Sequence, residues 1–283
     1  MIYVSASCLK GLEIKDAIEA LYKNGFRHIE LSGGFRYYDK MEKDLIKAKR
    51  RFNLDYICHN YFFHSGEPLV LNLASLNDDI YEKSLNFLIR AIKLAKKLNA
   101  KKFGLHAGFF LDIKEEEIGK DLTYSKPFNK DKCIKKFYKG FSIIKEAAEG
   151  LELYIENNII SSANLKTFKG LNPFMMTRYK EYSELKKIID FKLLLDIGHL
   201  KVSSFSLGLN FEEELDKMMA ASDYLHISDN NGLSDQNRCL LSASDVFQKL
   251  KKYNLKGKII TMEIYEKMDE IKKSYSLLKG AIK

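Results

Sequence analysis

A single-domain α/β architecture, the (β/α)8 TIM barrel, follows from three features of this chain. Short apolar runs recur that end in polar, metal-capable side chains: KKFGLH at His106, LELYIE at Glu156, FKLLLD at Asp196, DYLHIS at His226 and KIITME at Glu263. Each gap between the last four holds a segment whose apolar residues recur at helical spacing. Counted over the whole chain the strand-like runs number eight, which at 283 residues suits one closed parallel barrel.

In order, MIYVSAS supplies a strand near 2–6, followed by a helix over roughly Ile14 to Asn24. RHIELSGG gives the strand near 27–31 and DKMEKDLIKAKRRF the helix after it; LDYICHN gives the strand near 54–58, before a long helix from about Asp78 to Leu98. KKFGLH and LELYIE occupy 101–106 and 151–156. SELKKIIDF is then a helix before the strand at 191–196, FEEELDKMMAASD before 222–228 and SASDVFQKLKKYN before 257–263, with IYEKMDEIKKSYSLLKG closing the chain. An open doubly wound sheet shares this alternation, but no GxGxxG turn follows the first strand, and polar residues mark nearly every strand end rather than one switch point.

Composition agrees with one domain spanning residues 1–283: 46% hydrophobic and 30% charged residues, three prolines, and no linker or low-complexity tract. The net charge of +9 rests mainly on lysines of the outer helices, such as Lys47, Lys96 and Lys251, while arginine is scarce; a solvated surface is expected rather than a nucleic-acid footprint. MIYVSASCLKG lacks the form of a signal peptide, and no apolar run reaches the roughly 18 residues that span a bilayer, so a cytoplasmic protein with no membrane partner is expected. Cys8, Cys58, Cys133 and Cys239 show no CxxC spacing and suit a reducing compartment.

Function in such a barrel gathers at the carboxyl ends of the strands. Glu156, Asp196, His226 and Glu263 stand there as a mixed carboxylate and imidazole set, which suits one divalent ion, Mn, Mg, Co or Zn, rather than a thiolate site. Taken singly each could be a helix cap or an ion-pair partner; four on consecutive strand ends make a site. His28, at the start of a strand, is read as structural, and Cys58 as facing away from its neighbour His59. His64 is read as a loop residue, and Tyr61, Phe62 and Phe63 as a pocket wall. The stretches Ala107 to Asp131 and Asn157 to Glu181 exceed the usual strand-to-helix connection and are read as lids or walls, with Lys166, Lys169 or Arg178 as phosphate partners.

These residues resemble the xylose-isomerase-like TIM barrels, which include tagatose 3-epimerase-type sugar epimerases, hydroxypyruvate isomerases, inosose dehydratases and the endonuclease IV group. The resemblance runs through IELSGG around Glu30, CHNYFF to LNLAS from His59 to Ser75, GLHAG at His106, IENN at Glu156, LDIGH at Asp196 to His199, and HISDNNG at His226. It implies a metal held by Glu156, Asp196, His226 and Glu263, with His199 binding substrate oxygens. It further implies a sugar or sugar-phosphate isomerase or epimerase of carbohydrate metabolism, in which Glu156 and Glu263 move a proton through a metal-stabilised enediolate. His59 and His106 are then contacts to substrate hydroxyls, or a second metal position shared with Glu156. A homodimer through the outer helices is compatible with the fold.

The endonuclease IV branch implies an alternative, a zinc-dependent apurinic/apyrimidinic endonuclease. His59 and His106 match its first-zinc histidines, and Glu156 bridges to Asp196, His226 and Glu263. His199 and Asp235 are in register with its third site, but the family's Asp-x-His reads Asp235-Gln236-Asn237 here. A barrel that binds a ligand without catalysis is a third reading.

Overall fold

A computed structural model describes residues 1–60, 62 and 69–282 of the chain. Eight parallel strands pair in sequence order and close on themselves: β1 (Ile2–Ser5), β2 (His28–Leu31), β3 (Asp55–His59), β4 (Lys102–His106), β5 (Glu152–Glu156), β6 (Lys192–Asp196), β7 (Ser222–Ile227) and β8 (Ile259–Met262). Outside them lie α1 (Ile14–Lys23), α2 (Met41–Phe52), α3 (Asp78–Lys97), α4 (Lys130–Ala147), α5 (Ser162–Thr167), α6 (Tyr179–Lys186), α7 (Ile197–Ser206), α8 (Phe211–Ala221), α9 (Asp245–Leu250) and α10 (Met268–Ala281). The expected single-domain (β/α)8 barrel is therefore the observed one.

Two hydrophobic layers hold it. The larger lies between barrel and helices, where the outward residues of the strands, such as Ile29, Cys58, Phe103 and Leu225, meet the apolar stripes of α1, α3, α4 and α10. The smaller fills the barrel itself with Tyr3, Ile57, Tyr154, Leu194 and Tyr224, all at most 3% exposed. Period-two alternation assigns each strand residue to one layer or the other, so Cys58 sits in the outer layer while His59 turns inward. Asparagine starts several of the helices: Asn77, Asn129 and Asn210 each accept a hydrogen bond from the first turn of α3, α4 and α8.

Some expected elements differ. The helix expected over SELKKIIDF lies earlier, at Tyr179–Lys186, because the Glu214 carboxylate accepts from the Tyr179 N–H (2.6 Å) and anchors its first turn to α8. The first long connection runs up to the start of α4 and the second carries α5, while α7 follows β6 without a break. Phe62 is fully buried in the outer core instead of walling a pocket; Tyr61, Phe63 and His64 lie outside the described residues. Arg178 is committed to Glu181 (3.1 Å), and Lys166 and Lys169 are exposed, so the suggested phosphate partners gain no support. His28 packs edge-on against Tyr3, as a structural residue. Among the described residues no helix is long and apolar enough to cross a membrane.

At the amino end of the strands, Glu152 takes Lys102 at 2.5 Å, Lys192 at 2.7 Å and the Tyr154 hydroxyl at 2.9 Å. Burial opposes its ionisation, but these hydrogen bonds win and hold the carboxyl at about 2, below its ordinary 4.5. Its ionised form therefore favours the folded state, with the contribution complete above about pH 4.5 and lost as the pH falls towards 2. We expect Glu152→Gln to flatten this acid limb of stability by about 1 kcal/mol or less, since the group is half exposed and screened; urea midpoints measured across that range check it.

Candidate metal centre

The site is the top layer of the barrel interior. Ile57, Tyr154, Leu194 and Tyr224 point into the barrel, and two residues further along the same strands come His59, Glu156, Asp196 and His226. By the same spacing Gly104 precedes His106 on β4, and Thr261 on β8 precedes Glu263. Strand register sets His59 beside Gly104, His106 beside Glu156 and Asp196 beside His226. Gly104 is a steric requirement: a Cβ there would stand 2.7 Å from His59 Cδ2 and 2.8 Å from Leu194 Cδ2.

Glu156 occupies the middle. Its Oε2 lies 2.8 Å from His59 Nε2 and 3.3 Å from His106 Nε2, while Oε1 lies 3.0 Å from His226 Nδ1. His226 Nδ1 is 3.6 Å from Glu263 Oε2, and donor atoms of Asp196, His226 and Glu263 lie within 4.8 Å of one another. Glu156 and His226 are fully buried. Burial alone would push Glu156 up, but His106, His59 and His226 overcome it and hold it well below the usual carboxylate range. Burial pushes Asp196 up to about 7, helped by Glu156 and Asp235 against His199, and it raises Glu263. Burial lowers His106 to about 4, whereas His226 is held high, against burial, by Glu30, Glu156 and Glu263.

A second constellation adjoins it. The Asp196 side chain starts α7 by accepting from the His199 N–H (2.7 Å). His199 Nδ1 lies 2.9 Å from the Asn157 carbonyl, which can only accept, so Nδ1 carries the proton; Nε2 faces Asp235 Oδ2 at 3.4 Å and Asp196 Oδ2 at 3.9 Å. Lys201, 6% exposed, reaches Asp229 (2.9 Å) and the Asn230 carbonyl (2.7 Å), which pins the start of the segment that brings Asp235 over the site.

Residues 18–281 match the family described as the xylose isomerase-like TIM barrel. The chain belongs to that family. An uncharacterized protein of Methanocaldococcus jannaschii is 26% identical over 242 residues, covering 84% of this chain and 80% of that one. A probable endonuclease 4 of Thermotoga maritima is 30% identical over 119 residues, 42% of this chain and 35% of the relative. This chain thus aligns with about a third of that relative's length. A D-tagatose 3-epimerase-like protein of known structure superposes with a TM-score of 0.72 at 20% identity, covering 99% of this chain and 96% of the other, a likeness of fold.

The residues of this xylose isomerase-like barrel fit a divalent ion. Glu156 Oε1 and His226 Nδ1 are buried and 3.0 Å apart, yet neither has a hydrogen-bond partner among the described residues. With the His226 proton on Nε2 facing Glu30, the two lone pairs would face one another in a dry interior, which is costly unless something positive joins them. Carboxylates and imidazoles without a thiolate suit the ions expected from the sequence. His59, His106, Glu156, Asp196, His199, His226 and Glu263 all reach this one region.

Two functions of neighbouring residues escape a reading by strand ends. Asn157 Nδ2 donates to the Asp196 carbonyl (3.0 Å) and its Oδ1 accepts from the Asp196 N–H (2.8 Å), extending the β5–β6 pairing by a side chain. Asn158 Nδ2 ties the carbonyls of Ala107, Gly108 and Met175, closing both long connections on the barrel. The IENN run was the available signal. Glu30, buried on β2, is the third omission: its Oε2 meets His226 Nε2 at 2.9 Å.

Gly104→Ala is expected to cost about 1–3 kcal/mol by displacing His59 or Leu194, seen as a lower urea midpoint at unchanged slope; an unaltered midpoint would show that His59 is free to move. Asn157→Ala should cost about 1–3 kcal/mol through unpaired backbone groups of Asp196 and weaken divalent-ion binding in a chelator competition.

Proposed function

We propose that this chain is a divalent-metal-dependent phosphodiester hydrolase of the endonuclease IV kind, with more than one ion at the head of the barrel. One observation carries the reading: the two oxygens of Glu156 face different donor groups, Oε2 towards His59 and His106, Oε1 towards His226 with Asp196 and Glu263 beyond it. A carboxylate so placed would suit an ion on each oxygen, which gives the histidine pair a ligand role. The partial likeness to a probable endonuclease 4 supports the same choice. Bound ions would supply Lewis acidity and neutralise the charge of a phosphodiester.

The protein's own residues provide the rest. On one side Glu156 Oε2 lies against His59 and His106; on the other Oε1 lies against His226, which clusters with Asp196 and Glu263. His199, its Nδ1 proton fixed on the Asn157 carbonyl, presents Nε2 beside Asp235 where a substrate oxygen can be held. Asn237 stands where the branch carries an imidazole, so this third position has fewer nitrogen donors.

A second reading, the sugar isomerase or epimerase, is favoured by the cluster of Asp196, His226 and Glu263 with Glu156 against His226, and by the fold likeness to a tagatose 3-epimerase-like protein. There Glu156 and Glu263 would move the proton at the carbon beside a carbonyl.

Metal content of the protein purified without chelator separates the two. Two or more zinc equivalents, with both His59→Ala and Glu156→Gln losing metal and cleavage of a duplex bearing an abasic site, are expected. One equivalent that survives His59→Ala, with solvent deuterium entering a ketose, would establish the isomerase instead. Rate losses of about a hundredfold or more are expected for Glu156→Gln.

A further inference from the structure

Glu30 belongs to neither donor set just described, yet it is fully buried below them. Three donors converge on its Oε2: the Tyr224 hydroxyl, Thr261 Oγ1 at 3.0 Å and His226 Nε2 at 2.9 Å. A carboxylate shut away from water is costly unless several hydrogen bonds receive it, and charge-assisted ones receive it best. Burial acts against its ionisation, but His226 above all keeps the group below the ordinary carboxylate range. Tyr224 and Thr261 also donate to it from β7, which carries His226, and from β8, which leads into Glu263.

The consequence falls on the other side of the imidazole. With Nε2 donating to Glu30, a neutral ring keeps its proton there and its lone pair at Nδ1. That Nδ1 is the atom aimed at Glu156 Oε1 and Glu263 Oε2, at 3.0 and 3.6 Å, with no hydrogen-bond partner among the described residues. We propose that Glu30 is the positioning residue of this centre: it fixes the tautomer and ring plane of His226 so that Nδ1 is the ligand, while Tyr224 and Thr261 add further hydrogen bonds to its carboxylate. Carboxylates behind ligating histidines act in this way generally, orienting the ring and raising its basicity. The inference rests on the metal-centre reading above and deepens it, whichever substrate the site takes.

The test uses the full chain stripped by chelator, in three forms: unaltered, Glu30→Gln and Tyr224→Phe. Zinc is titrated against a chromophoric chelator, and the zinc-loaded proteins are read by nitrogen-15 NMR of the histidine rings. Glu30→Gln is expected to keep the zinc stoichiometry but bind about tenfold to a hundredfold more weakly, with the His226 Nε2–H resonance moved upfield as its charged acceptor disappears. Tyr224→Phe, which leaves Glu30 charged, should stay within roughly threefold of the unaltered protein. Equal affinity in Glu30→Gln overturns the proposal. Loss of a whole zinc equivalent overturns it too, making Glu30 a ligand beside His59 and Glu263. So does an equal loss in Tyr224→Phe, which would assign the effect to packing. If Glu30→Gln does not fold, the unaltered protein decides: a proton on Nε2 with zinc-shifted Nδ1 supports the proposal, and a proton on Nδ1 overturns it. If the unaltered protein takes up no zinc, manganese or cobalt, the metal-centre reading itself fails, an outcome distinct from the others.

Discussion

The rest of this molecule is arranged around one buried carboxylate. Glu156 is excluded from water and meets imidazoles on both oxygens, an arrangement that requires four strands to bring their side chains to the same height. The barrel meets that requirement through its stagger: Tyr154, Ile57 and Tyr224 fill the interior below, and the next inward position on each strand is left for chemistry. Replacing the glycine of β4 with any larger residue would close the space into which His59 turns.

Burying so many ionisable groups together makes the head of the barrel expensive when no ion neutralises it. Desolvation acts against every charge there, and the groups respond by diverging: Glu156 is held low, Asp196 and Glu263 move up, His106 moves down, and neighbouring carboxylates hold His226 high. A cation bound there would return part of that cost, because ligand affinity for the folded chain alone is folding free energy.

How much of this was legible differs by residue. The strand ends were legible because an apolar run stopped by Glu, Asp or His is a short, local signal, and the barrel turns each such stop into a position on one rim. Glu30 ends a similar run on β2, but what it does depends on Tyr224, Thr261 and His226, all nearly two hundred residues or more away, and no local pattern carries that. Helix α7 was invisible for a different reason. IGHLKVSSFS is buried almost all round, so it lacks the polar face by which a helix shows its period. Asn157 and Asn158 read as loop residues, although their amides serve as substitutes for backbone pairing where the strands end. The displaced α6 shows that a helix start can be chosen by a carboxylate from another helix, Glu214, over local propensity.

Asp196 is shared between two structures. One oxygen accepts from the backbone of α7 and so begins that helix; the other faces the donors of the candidate centre. A cation held there and the helix would therefore draw on a single delocalised charge. Whatever polarises the carboxylate from the site side weakens its grip on the first turn of α7, and whatever frays that turn frees the carboxylate to rotate. The segment from Asp196 to Ser206 would in this sense feel occupancy of the rim, and it leads directly into the connection to α8 on the outside of the barrel. A message about what the rim holds can reach the surface through one hydrogen bond and ten residues of helix.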